Sequence, residues 1–165
     1  MSLKKTIQEN LTAALQKRNE TAVSTLRMLL AALSNKEIEK RTKFSKENSH
    51  AKEAELQKNS ELSDEEIQQL IAGEAKKHKE SIEAFQKGSR QDLVDKETKE
   101  LKILEAYLPE QMSEEEVRKL VQEAIGSTGA KTVQEMGKVM SALMPKVKGK
   151  ADGALVSKIV KESLQ

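Results

Sequence analysis

The sequence predicts an all-α protein in two parts, an N-terminal helical bundle with long helices and a small C-terminal helical domain. Three observations carry that expectation. Apolar residues recur at intervals of three and four along most of the chain, the period of an amphipathic helix. Ser-x-x-Glu signatures precede two of these runs, at Ser63 and Ser113, and mark helix starts. Composition agrees, because aromatic residues make up only 2% and charged residues 34%, with no Trp and two Pro, which suits helices closed over an aliphatic core rather than a sheet. A length of 165 residues suffices for one ordinary domain or two small helical ones.

Leu3, Ile7, Leu11, Ala14 and Leu15 form the apolar face of a first helix. Asn19 can cap the next, in which Val23, Leu26, Leu30 and Leu33 form a stripe that Met28 and Leu29 widen, so burial on more than one side is expected. Arg27 interrupts this face and is expected to pair within the bundle, since buried charges are seldom left alone. The stretch Thr42 to Glu61 is polar and lysine-rich and is expected to be a mobile connection with partial helix. Ser63 and Glu66 then open a long helix with Ile67, Leu70, Ile71, Ala75, His78, Ile82 and Phe85 inward, and Gly88 is placed to end it. Ser89 with Asp92 is expected to start another helix, which turns Leu93, Leu101, Leu104 and Leu108 inward until Pro109 forbids continuation. That proline sets the predicted boundary between residues 1–108 and 109–165.

Beyond it, Ser113 and Glu116 precede Val117, Leu120, Val121 and Ile125, and "GSTGA" breaks the helix. A short helix from about Thr132 carries Val133, Met136, Met140 and Leu143, with Gly137 expected to admit a close backbone. It should end before Pro145, which disfavours helical geometry at Met144. Asp152 is the expected N-cap of a last helix that buries Leu155, Val156, Ile159, Val160 and Leu164.

The same residues restrict the chemistry. Net charge is +2, from 29 basic and 27 acidic residues, so no global field draws the chain to nucleic acid or membrane and any anion site is local. The absence of cysteine removes disulfides, thiolate metal sites and cysteine nucleophiles, and fits a cytoplasmic protein. No apolar leader opens the chain and no apolar run reaches the ~20 residues of a membrane span. The clusters "SDEE" and "SEEE" read as helix first turns, where acids complement the macrodipole. His50 and His78 are far apart and lack metal-ligand spacing, and His78 is expected to be a partly buried packing residue. With no GxSxG elbow, SxxK pair or glycine-rich loop after a strand, no catalytic residue, cofactor or metal is predicted.

The segments "TLRMLLAALSNKEIEK", "KESIEAFQKGSRQDL", "YLPEQMSEEE" and "MGKVMSALMPKVKGKADGALVSKIVKESL" occur in an order that resembles the YqeY family, also called GatB/YqeY proteins. The last segment is the most specific, because helical periodicity alone does not demand its glycines, proline and lysines. This resemblance implies an all-helical protein of two parts, whose C-terminal part is similar to the tail domain of the B subunit of the tRNA-dependent Asp/Glu amidotransferase. In that enzyme the tail engages tRNA while kinase and amidase chemistry reside elsewhere. The family is associated with carbon–nitrogen ligase activity with glutamine as amido-N-donor, for which this chain presents no active site of its own. Two departures stand out, His78 where the family tends to carry Arg, and a Thr42–Glu61 connection that looks longer than usual.

The resemblance and the local charge together point to a tRNA-binding or accessory module, with tRNA or an amidotransferase or other protein as partner. A protein–protein interaction module without RNA binding or catalysis is the alternative, supported by the near-neutral net charge and the scarcity of aromatic stacking residues. A free-standing enzyme is the third class. Residues 131–165 hold seven lysines against three acids, a local net of +4. If "PKVKGK" is extended, alternation places Lys146, Lys148 and Lys150 on one side with Val147 and Gly149 facing the protein. Lys138, Lys158 and Lys161 are the candidates to enlarge that basic edge, while Asp152 occupies the amides of the following helix.

Overall fold

A computed structural model describes residues 2–164, and among these the secondary structure consists of eight α-helices and one 3-10 turn. The chain divides into two compact units, Met1–Tyr107 and Leu108–Gln165. No helix of the described residues is long and apolar enough to cross a membrane.

The first unit contains α1 (Leu3–Gln16), α2 (Glu20–Glu47), α3 (Glu53–Ser60), α4 (Asp64–Lys87) and α5 (Gln91–Glu105). Between α1 and α2 the chain reverses in three residues, with Arg18 in the left-handed region at φ 52° and Asn19 Oδ1 accepting from the Ala22 amide at 3.1 Å. Ile7 and Ala14 of α1 are buried, as are Leu26, Leu29 and Leu33 of α2. The inward face of α2 is narrower than its sequence suggests. Met28 is 66% exposed, Ile38 is also exposed, and Arg27 lies at the surface instead of pairing within the bundle. Leu15 of α1 is likewise exposed.

The polar stretch from Thr42 carries the expected partial helix, over residues 42–47 and Glu53–Ser60. Helix α2 continues to Glu47, and α3 doubles back along it after a short turn. Charged pairs hold this return. Arg41 Nη2 lies 2.7 Å from the Glu53 carboxylate, and Lys40 Nζ donates to the Glu61 carbonyl at 2.9 Å. The Glu55 carboxylate also accepts from the Lys52 amide at 3.0 Å, as a first-turn acid does. Only Phe44, Ala51 and Leu56 among its apolar side chains are even half-buried, so periodicity could not announce the element.

At the start of α4 the expected capping box is present. Glu66 N donates to Ser63 Oγ at 3.2 Å, while Ser63 N donates to Glu66 Oε2 at 2.8 Å. The neighbouring Asp64 caps α1 as well, accepting from the Leu3 amide at 2.8 Å. Helix α4 buries Ile67, Ile71 and Ala75 and ends at Gly88, which retains a negative φ. The left-handed residue is Ser89, at φ 54°, so it cannot serve as the expected N-cap of α5. Arg90 takes that place, its guanidinium held by Asp92 at 2.8 Å. Helix α5 then returns beside α4 and buries Val94, Leu101 and Leu104.

In the second unit, α6 (Glu114–Thr128) is followed by a 3-10 turn at Val133–Glu135, then α7 (Met136–Val147) and α8 (Gly153–Ser163). Val117 and Val121 of α6, Val139, Leu143 and Val147 of α7, and Val156, Ile159 and Val160 of α8 form one core. Gly129 ends α6 in the left-handed region at φ 67°, a conformation that costs a side-chain-bearing residue about 1–2 kcal/mol. Gly137 faces open space and admits no neighbouring backbone, contrary to expectation.

Helix α7 passes through Pro145, so the segment after it is not the extended strand that alternation would need. The physical reason is burial. Val139, Leu143 and Val147 are four residues apart on one face, and each buried side chain is worth about 1.5–3 kcal/mol, enough to hold the last turn despite the missing proline N–H. Ser141, whose carbonyl the proline leaves without a donor, is exposed, so water can satisfy it.

Ser113 and Glu116 form the second capping box, with Glu116 N donating to Ser113 Oγ at 3.3 Å and Ser113 N to Glu116 Oε2 at 2.7 Å. Replacing Ser113 by Ala should destabilise α6 by about 0.5–2 kcal/mol, read as faster amide exchange in its first turns. Unchanged exchange would remove the cap from the account. The Ser113 amide, and after it the hydroxyl, hold the Glu116 carboxyl below its ordinary value. With the folded value below the unfolded one, this contribution is complete above the unfolded carboxylate range, near 4.3, and is lost as pH falls through the folded value. Glu116→Ala should therefore destabilise the protein at neutral pH, and the difference from the parent should shrink below about pH 4 in thermal unfolding. A difference that persists undiminished in acid would contradict it.

Candidate functional site

The six candidate lysines all lie exposed in the second unit, but not along a single edge. Lys146 sits in the last turn of α7, Lys148 caps that helix, and Lys150 follows in the turn to α8. The Lys148 amide donates to the Met144 carbonyl at 3.0 Å and the Lys150 amide to the Val147 carbonyl at 2.9 Å. Gly149 between them has φ 75°, which explains the glycine in "VKGK" as the left-handed residue of a tight turn. The turn is tied to the segment that opens the unit. Met112 N donates to the Lys150 carbonyl at 2.7 Å, and Gln111 Nε2 to the Gly149 carbonyl at 3.0 Å. Val147 faces the core as expected, although a helix rather than a strand puts it there.

Lys146, Lys148 and Lys150 are thus gathered at the C-terminal end of α7, where cations complement the helix dipole. Lys138 is eight residues earlier in the same helix, about 12 Å along its axis, and belongs to the opposite end. Lys158 and Lys161 share one face of α8 through their three-residue spacing. Carboxylates pair with several of the six, Lys138 with Glu135 at 3.0 Å, Lys146 with Glu123 at 3.7 Å and Lys158 with Glu162 at 3.9 Å. The Lys131 amide, then Lys138, hold the Glu135 carboxyl below its usual range. Lys150 shares a shallow cleft with Glu110 and Glu116. Asp152 caps α8 as expected, accepting from the Ala154 amide at 2.6 Å, and thereby occupies the amides that could otherwise hold an anion.

A second polar constellation lies in the first unit, on the facing sides of α4 and α5. His78 Nδ1 is 2.7 Å from Glu97 Oε2 and 3.8 Å from Glu100 Oε2, and the three side chains are 17%, 19% and 11% exposed. Partial burial of His78 agrees with its place on the apolar stripe, but its partners are carboxylates and not packing groups alone. Spacing within one helix could not reveal this grouping, because it forms only when α5 folds back on α4. One signal was available, since Glu97 and Glu100 precede Leu101 and Leu104 by four residues each and so share their inward face.

"Altered inheritance of mitochondria protein 41, mitochondrial" from Pyrenophora tritici-repentis (strain Pt-1C-BFP) is 31% identical over 160 residues, spanning 94% of this chain and 77% of the fungal protein. The family model described as Yqey-like protein matches residues 45–164, from the end of α2 through α8. The chain belongs to the YqeY family.

Proposed function

We propose that the second unit is a tRNA-backbone-binding module, related to the tail of the amidotransferase B subunit, and that Lys146, Lys148 and Lys150 at the α7–α8 turn make its central contact. The observation that carries this reading is the segregation of charge, seven lysines against three acids from residue 131 onward in a chain whose net charge is only +2. Lys138, Lys158 and Lys161 extend the basic surface along the two helices. Ammonium groups act as point charges on phosphates and do not read bases, so the module positions an RNA without selecting its sequence. Exposed ion pairs such as Lys146 with Glu123 are weak and screened by salt, and phosphate oxygens can replace their carboxylates at little cost. Carbon–nitrogen ligase chemistry, on this reading, belongs to a partner that supplies the catalytic groups. Absence of cysteine fits a reducing compartment such as the cytoplasm, and the fungal relative bears a mitochondrial name; both settings contain tRNA.

Replacing Lys146, Lys148 and Lys150 together by Gln should weaken tRNA binding and lower the magnitude of the salt slope by up to about 3, with the helical circular dichroism spectrum unchanged. Equal affinity and an equal slope for the folded variant and the parent would reject the phosphate contact and leave a solvated turn. Retention of a protein but no RNA by the parent would favour the interaction module instead.

A further inference from the structure

We propose that His78, Glu97 and Glu100 form a binding site for one divalent transition-metal ion, with Zn²⁺ as the simplest fit, bridging α4 and α5. The donor atoms come from two helices joined by a tight turn, and they all lie within 4.8 Å of one another. An imidazole with two carboxylates is a donor set that Zn²⁺ and its first-row neighbours accept. Geometry is favourable as well. Tetrahedral ligands at Zn–N and Zn–O distances of about 2.1 Å stand roughly 3.4 Å apart, and His78 Nδ1 is 2.7 and 3.8 Å from the two carboxylate oxygens, so small rotations of the side chains suffice.

Glu100 is the most enclosed of the three groups. This residue is only 8% exposed, and its carboxylate lies within ion-pair range of both α4 and its own helix. The nitrogen atoms nearest to it are His78 Nδ1 at 3.8 Å and Lys96 Nζ at 4.0 Å, both beyond hydrogen-bond range. Two carboxylates held within 4.8 Å of each other repel, and a cation placed between Glu100, Glu97 and His78 offsets that repulsion. Both Glu100 and His78 also line a cleft of about 300 Å³ between α2, α4 and α5, to which Thr25, Met28 and Asn35 of α2 contribute. Three protein ligands leave a coordination position, and the cleft provides room for water or a small oxygen ligand to fill it. Glu74, one turn before His78 on α4, lines the same cleft and is paired with Lys77 at 2.7 Å, so it adds negative potential without being a required ligand.

Titration of the tag-free full chain with Co²⁺ should show saturable visible absorption from one ion per chain, erased when Zn²⁺ is added in competition. Glu100→Gln and His78→Gln should each weaken binding by at least ~10-fold, and His50→Gln should bind as the parent does. Absence of saturable binding in the parent would overturn the site. So would unchanged affinity in both folded variants, or loss of binding in His50→Gln, which would place the ion elsewhere. Should a variant fail to fold, paramagnetic shifts from Co²⁺ in the parent decide the matter: resonances of residues 78, 97 and 100 must be the most affected, and shifts centred on another part of the chain would overturn the proposal.

Discussion

The constraint on which the rest of this protein depends is that its cores are closed by aliphatic side chains, Val, Ile and Leu above all. With aromatic residues at 2% of the chain, no ring belongs to the fully buried core of the described residues. Val, Ile and Leu instead have to meet at close range from several helices, as Val117, Val139, Leu143, Val156 and Ile159 do in the second unit. Short helices must therefore hold their register at the ends. Ser63, Ser113 and Asp152 do so through side-chain caps, which satisfy amides that the helices leave open. Burial and capping are complementary here: the caps orient the stripes, and the stripes decide how far each helix runs.

The last turn of α7 shows which effect wins when they conflict. Proline at 145 removes a backbone donor, yet Val147 remains helical because it belongs to the same buried stripe as Leu143. Gly149 then reverses the chain in a left-handed conformation, and hydrogen bonds from Gln111 and Met112 hold the reversal in place. Lysines at 146, 148 and 150 are presented outward by this local geometry. They form a cluster at the end of a helix rather than a regular edge.

Charge has a different role in the first unit. Lys40 reaches both the Glu61 carbonyl and the Glu66 carboxylate, and Arg41 reaches Glu53, so a stretch with little apolar surface is still brought into register with α2. Individually such exposed pairs contribute little, and it is the backbone order of α3 that makes them act together. Farther along α4, His78 with Glu97 and Glu100 places three ionisable groups on an otherwise apolar contact. Polar clusters of this kind are kept at a cost in burial, which is why they call for an account of what they hold.

Periodicity and cap chemistry are local, and so the sequence by itself determined the all-α class, the capping boxes at Ser63 and Ser113, the caps at Asn19 and Asp152, and much of each buried stripe. The YqeY kinship was legible as well, through the glycine, proline and lysine pattern of the C-terminal segment. Elements whose stability comes from distant residues were not legible. Helix α3 depends on ion pairs across a turn, Ser89 and Arg90 take their places from the α4–α5 reversal, and Pro145 is tolerated only because Val147 reaches a core assembled from three helices. The grouping of His78 with two glutamates has the same origin. A side chain's neighbours along a helix are set by 3.6 residues per turn, whereas its neighbours across helices are set by packing, and only the tertiary structure decides those.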